Sequence, residues 1–173
     1  VQKLVSLIEL SILFGHSMVP IELTLIEAVT ALRCRKLGYQ EYVQALMQQT
    51  DRLAYLNAWI SRDPEQLIQQ AKAFDQASSA QPDHRPLVGI PVAIKDNIDT
   101  SDLPTSGGTR ALLTSRPSRN ATVVERLLQS GGLIAGKTNL HELALGGTNH
   151  NAVTGACRNP WNPLRIPGGS SGG

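Results

Sequence analysis

Cysteine is nearly missing from this chain. Cys34 and Cys157 are the only two in 173 residues and form no CxxC pair, so the sequence indicates neither a zinc site nor a disulfide framework; a reducing, cytoplasmic setting fits best. Aromatic residues are scarce at 4%, while 41% of residues are hydrophobic and 17% charged, the balance of an ordinary globular protein with an aliphatic core rather than a disordered chain. Neither sign of charge dominates. Sixteen Lys and Arg against fourteen Asp and Glu leave a net charge of +2, and no basic block tracks a phosphate backbone, so nucleic acid and acidic membrane surfaces are poor partner classes. The sequence also lacks a long apolar run. Leu4 to Phe14 is short, is interrupted by Glu9 and carries no small-residue cleavage signal, so it does not read as a membrane span.

What is present divides into three stretches. Residues 1–17 are expected to be an extension outside the fold, with Met18 as the natural start; the alternative is a short docking helix. Residues 18–85 read as an N-terminal helical layer. Thr24-Leu25-Ile26-Glu27 has the capping-box form and predicts a helix to about Leu37, ended by Gly38. Tyr42, Val43, Leu46, Met47 and Leu53 recur at helical spacing and predict a second helix from Gln40. Asn57 to Ser61 is a short strand candidate. Asp63-Pro64 supplies an N-cap and a proline at the first helical position of a third helix, whose apolar face is Leu67, Ile68, Ala71 and Phe74. Ala77 to Arg85 is small and polar, the composition of a linker.

Residues 86–173 read as the first part of an α/β core. Leu87 to Ile94 is an apolar, partly β-branched run that predicts a strand broken or edged at Pro91 and ending at Lys95. Thr122-Val123-Val124-Glu125 repeats the capping-box spacing and opens a helix that Gly131-Gly132 stops, and Leu133-Ile134-Ala135 is the next strand. Strand, helix, strand in this order predicts a parallel βαβ unit.

Several motifs compete for a functional reading. Gly131-x-x-x-x-Gly136-Lys137-Thr138 matches the phosphate-binding P-loop letter for letter, but such a loop needs a strand before it, free backbone N–H groups within it and a helix at its lysine. Here a helix precedes it and the middle residues belong to a strand, so the context is inverted. His141-Glu142 starts like a zinc-protease HExxH, but the second histidine would have to stand where Leu145 does, which leaves a helix-end pair. Asn120-Ala121-Thr122 is a formal glycosylation sequon, better explained as helix capping. Lys95-Asp96-Asn97 asks more of the fold. An apolar approach from Val88 to Ile94 would carry the lysine stem through a dry interior, where desolvation favours the neutral amine, the form able to act as a base. Finally, Pro167-Gly168-Gly169-Ser170-Ser171-Gly172-Gly173 could be a linker. Three prolines and a tryptophan in Asn159 to Pro167 instead make its approach stiff, and a packed segment is expected there.

Taken together, Gly89 to Asn97, Ala135-Gly136-Lys137-Thr138-Asn139, Arg158-Asn159-Pro160-Trp161-Asn162-Pro163 and Pro167 to Gly173 resemble the amidase signature family of serine amidases over roughly residues 20–173. That resemblance implies an α/β/α sandwich with a mixed central sheet, of which the N-terminal part is present. It also implies a mechanism without metal or organic cofactor. A neutral lysine is the ultimate base, a serine reached through a cis peptide bond relays the proton, and a second serine attacks the amide carbonyl. By position Lys95 is the base and Ser170 the relay. The attacking serine of the family falls beyond Gly173, so Ser171 is expected to support the loop rather than attack, and this stretch alone is expected to be inactive.

Leu145, Gly146 and Gly147 match a family loop that lines the substrate cleft and offers backbone carbonyls to the leaving nitrogen. Within the family, His141 to Gly146 and Asn151 to Ala156 look more like hydrolases of aryl acetamides such as indoleacetamide or mandelamide. The implied partner is a small-molecule amide, with a homodimer kept open. The glutaminase component of a glutamyl-tRNA(Gln) amidotransferase, its A-type chain, stays open as a rival, as do a non-catalytic fragment and a P-loop-like nucleotide-binding module.

Overall fold

The computed structural model describes residues 18–78 and 83–173. The expected extension over residues 1–17, and residues 79–82 of the expected linker, lie outside the described residues.

The first helix, α1, runs over Leu25–Arg33 and opens as the sequence predicts: Thr24 Oγ1 accepts from Glu27 N, and Thr24 N donates to Glu27 Oε2 at 2.8 Å. It ends earlier than expected. Arg35 takes the left-handed conformation (φ 55°), and Lys36 N donates back to the Ala31 carbonyl at 2.9 Å, closing the last turn without a glycine. Gly38, expected to stop α1, is instead the extended residue before α2, Tyr39–Arg52. The start of α2 is capped from a distance: Asp75 accepts from Tyr39 N and Gln40 N, each at 2.9 Å. Asp75 lies on α3, Pro64–Ser78, which opens on Asp63 as predicted, with Asp63 Oδ1 accepting from Gln66 N at 2.9 Å. Between α2 and α3 lies β1, Trp59–Ser61.

Strand β2 spans Pro91–Lys95, starting where the sequence predicts an interruption. The stretch before it is a turn, in which Gly89 is left-handed (φ 71°) and donates to the Gly131 carbonyl at 2.9 Å. Helix α4 covers Thr122–Gln129 and β3 covers Leu133–Thr138. The predicted capping box at Thr122 does not form, because the helix already starts there, with Ala121 at the cap position and no side-chain cap. Asn120 is no cap either. Its side chain accepts from Ser101 N at 2.8 Å and donates to Glu125 at 2.8 Å, tying the preceding loop to the first turn.

The sheet order is β1-β3-β2, with β2 parallel to β3 and β1 antiparallel to it. The βαβ unit of the sequence reading is therefore present within a small mixed sheet. Alternation along the strands divides the core in two. Leu133 and Ala135 face α1, α2 and α3 together with Val88, Val43, Leu32 and Leu67, whereas Ile134 and Ile94 meet Val124 of α4 and Leu103 on the other face. The P-loop-like stretch is not a loop. Residues 133–138 are all buried in β3, paired with β2 and, at Lys137 and Thr138, also with β1, and no helix opens at Lys137, so the stretch does not form a phosphate cradle. Among the described residues, no helix is long and apolar enough to cross a membrane.

Candidate active site

In the pair β2–β3, Lys95 is register partner of Thr138, so the carboxyl ends of two parallel strands lie side by side. That edge is where α/β sheets hold their ligands, because the loops leaving it diverge and open a crevice. The final residues lie across it. His141 N donates to the Ser170 carbonyl at 2.9 Å, Ser171 bridges Leu140, and Gly172 N and Gly173 N both donate to the Asn139 carbonyl at 3.1 Å. These contacts deliver Ser170, preceded by a cis Gly169–Ser170 peptide bond, to Lys95: Lys95 Nζ stands 2.6 Å from Ser170 Oγ. Both side chains are half-buried. The two residues are 75 positions apart in the chain, and the sheet edge brings them within one hydrogen bond.

Ser171 does not point its hydroxyl into this pair through any hydrogen bond among the described residues; its contribution is the main-chain bridge to Leu140. Of the stretch 145–147, the two glycines come to the same place. A Cβ on Gly169 would lie 2.7 Å from the Gly147 carbonyl carbon and 3.0 Å from the Gly146 carbonyl oxygen, so this loop packs directly on the residue before Ser170 and only glycine fits there. Leu145, just before them in the chain, is 82% exposed. His141 and Glu142 belong to a single 3₁₀ turn over Glu142–Ala144, with His141 at its cap and its ring against Gly146. Among the described residues, no three His, Cys, Asp or Glu side chains cluster so as to hold a metal ion.

The approach from Asn159 to Pro167 is stiff but not packed. Asn159 accepts from Trp161 N at 2.9 Å and Asn162 from Leu164 N at 3.1 Å, so the segment is held by its own turns. Trp161 and Leu164 are 95% and 96% exposed.

Several polar residues that the sequence reading quoted only within motifs, Asp96, Lys137 and Asn139, are buried behind the site, a role it did not give them. Lys137 is fully buried on β3; its Nζ donates to Thr105 Oγ1 at 2.6 Å and to the Pro104 carbonyl at 3.1 Å, and lies 3.4 Å from Asp96 Oδ1. Burial pushes its pKa below the ordinary lysine value, and the Asp96 carboxylate pulls it back up. The other oxygen of Asp96 accepts from both the backbone N and the hydroxyl of Ser106. Asn139 is also fully buried, with its amide donating to the carbonyls of Asn57 and Gly155 and its oxygen accepting from Leu140 N and Thr154 Oγ1. A lysine inside an otherwise apolar strand was the available signal for the first group, since a buried ammonium demands partners.

Residues 41–173 match the family model described as Amidase. The chain belongs to the amidase family. Among its relatives in that family, it is 40% identical over 147 residues to the indoleacetamide hydrolase of Allorhizobium ampelinum, an alignment covering 85% of this chain and 31% of that protein. It is 39% identical over 153 residues to the A-type chain of the glutamyl-tRNA(Gln) amidotransferase of Natranaerobius thermophilus, covering 88% of this chain and 31% of that one. Its fold superimposes on the native peptide amidase of Stenotrophomonas maltophilia with a TM-score of 0.81 at 31% identity, covering 87% of this chain and 32% of that structure. The chain thus spans about a third of the length of these amidase-family relatives. The α/β fold with its small mixed sheet is the one those amidase structures share.

Proposed function

We propose that a protein carrying this chain hydrolyses a small carboxylic amide to the acid and ammonia, with an aryl acetamide as the favoured substrate. The carrying observation is the 2.6 Å approach of Lys95 Nζ to Ser170 Oγ at the carboxyl edge of the sheet. The Lys95 amine takes the hydroxyl proton of Ser170 as Ser170 takes one from the attacking serine, which the family resemblance puts beyond Gly173. The serine oxygen then bonds to the amide carbon, and collapse of the tetrahedral intermediate breaks the C–N bond. The proton returns along Lys95 and Ser170 to the leaving nitrogen, and water releases the acid from the acyl-enzyme by the same relay. Ser171 supports the loop. The backbone of Leu145, Gly146 and Gly147, the two glycines of which are seated against Gly169, receives the leaving nitrogen.

The aryl-acetamide preference rests on the residues of the loop from His141 to Gly146 and of Asn151 to Ala156. A second reading has comparable support in similarity, since the amidotransferase chain of N. thermophilus is nearly as identical to this one as the indoleacetamide hydrolase. One experiment separates them. The full-length protein, purified alone, is assayed for ammonia release from indoleacetamide, mandelamide and glutamine. Turnover of the aryl acetamides by the isolated protein supports the proposal. Release from glutamine only, together with co-purifying partner proteins, would assign it to the amidotransferase instead.

A further inference from the structure

We propose that Lys137 is a positioning residue for the Lys95–Ser170 pair: clamped with Asp96 on the far face of the sheet, it fixes the direction in which Lys95 leaves the end of β2. This rests on the amidase reading above and adds a residue to it. Lys137 is the register partner of Ile94, one residue before Lys95, so its side chain projects on the α4 face whereas that of Lys95 projects on the other. Lys137 therefore acts on Lys95 through Asp96. The Asp96 carboxylate is held from both sides, by Ser106 through its backbone N and hydroxyl and by Lys137 at 3.4 Å. Its main chain is held as well: Asp96 N donates to the Thr138 carbonyl at 3.2 Å, and its own carbonyl accepts from Gly107 N at 2.9 Å. These restraints on the residue next to Lys95 leave the lysine stem one exit direction, the one that ends beside Ser170.

The same clamp reaches the cleft loop. The Lys137 ammonium donates to Thr105 Oγ1 and the Pro104 carbonyl and pairs by charge with Asp96 at 3.4 Å, which pins residues 104–106 to the sheet. The next two residues pass the restraint on. The Gly107 carbonyl accepts from Leu143 N at 2.8 Å, and the Gly108 carbonyl accepts from the buried Asn151 amide at 2.9 Å. Leu143 opens the loop whose glycines pack against Gly169. A single ammonium thus anchors the base on one side of the reacting centre and the loop beside the relay serine on the other. The relay requires a donor and acceptor within hydrogen-bond reach, and small misplacements there are costly to rate.

The test uses the full-length protein with an amide that the wild type hydrolyses. Lys137→Met is expected to lower kcat about ten- to a hundredfold with KM within about twofold, measured well below its melting temperature. That variant leaves the Asp96 carboxylate buried without its cation, so its melting temperature falls too. The double variant Asp96→Asn/Lys137→Met removes both charges and is expected to regain most of that melting temperature while kcat stays low. If kcat recovered along with the melting temperature, the pair would serve the fold alone and the proposal would be overturned. Where either variant fails to fold, Thr105→Val decides: it keeps both charges and removes one acceptor from Lys137. A drop in kcat of about three- to tenfold at unchanged KM supports the clamp, and an unchanged kcat overturns it. A wild type inactive on every amide would overturn the amidase reading and this one with it, whereas an active wild type with full-rate variants would overturn only the clamp.

Discussion

Lys95 and Ser170 meet as one polar pair at an edge built by apolar strands, and their chemistry can be tested residue by residue. Lys95→Ala in the full-length protein is expected to cut amide turnover by at least about a hundredfold, the range of a lost general base. The melting temperature should change little, because the side chain is half-buried and outside both core clusters. Near wild-type turnover would remove Lys95 from the mechanism. A second test concerns the thiols. Cys157 is buried, its Sγ donating to the Gly172 carbonyl at 3.0 Å, and desolvation pushes its pKa above the ordinary thiol value. A raised pKa keeps the thiol protonated to higher pH, and only the thiolate is alkylated. Iodoacetamide at mildly alkaline pH should therefore label the exposed Cys34 and spare Cys157, as read by peptide mass spectrometry. Equal labelling would mean that the final loop does not sit on Cys157.

At the scale of elements, two helices owe their starts to different sources. Helix α3 opens on a local signal, Asp63 followed by Pro64, and Asp63→Ala should cost about 1 kcal/mol, seen as a lowered denaturation midpoint at unchanged slope. An unchanged midpoint would show that the packing of Leu67 and Ala71 positions the helix without its cap. Helix α2 opens on a distant one, since the carboxylate that satisfies its first amides belongs to Asp75 of α3. Spacing within the chain revealed the first and had no means of revealing the second. The position of the helix start also decides why one predicted capping box forms and the other does not. Thr24 stands at the cap position with Glu27 three residues on, whereas Thr122 is already the first helical residue, which puts Glu125 one position too far along for the box, and Glu125 accepts from Asn120 instead.

For the whole molecule, the decisive feature is surface left uncovered. The outer edges of β1 and β2 carry no further strand among the described residues, and Trp161, Leu164 and Ile166 stand exposed on the approach to Ser170. The relatives are about three times longer than the stretch they share with this chain. Residues 18–173 expressed alone should therefore bind a hydrophobic dye and elute as aggregates in gel filtration, as unpaired edges and contiguous apolar patches do. A monomer that binds no dye would show that this stretch covers itself in solution.

The sequence by itself determined the local and the periodic. Capping residues at Thr24 and Asp63, the βαβ order around α4, the inverted context of the P-loop-like stretch and the pairing of Lys95 with Ser170 through family motifs were all legible in it. Each depends on residues near one another in the chain or on motifs long enough to be distinctive. Tertiary structure alone decided the rest. It ended α1 at a left-handed arginine, left Trp161 exposed where packing was expected, and buried Lys137 against Asp96, Thr105 and Pro104. Those outcomes depend on partners tens of residues away, and a buried charge shows its role only once the groups that neutralise it have been brought to it by the fold.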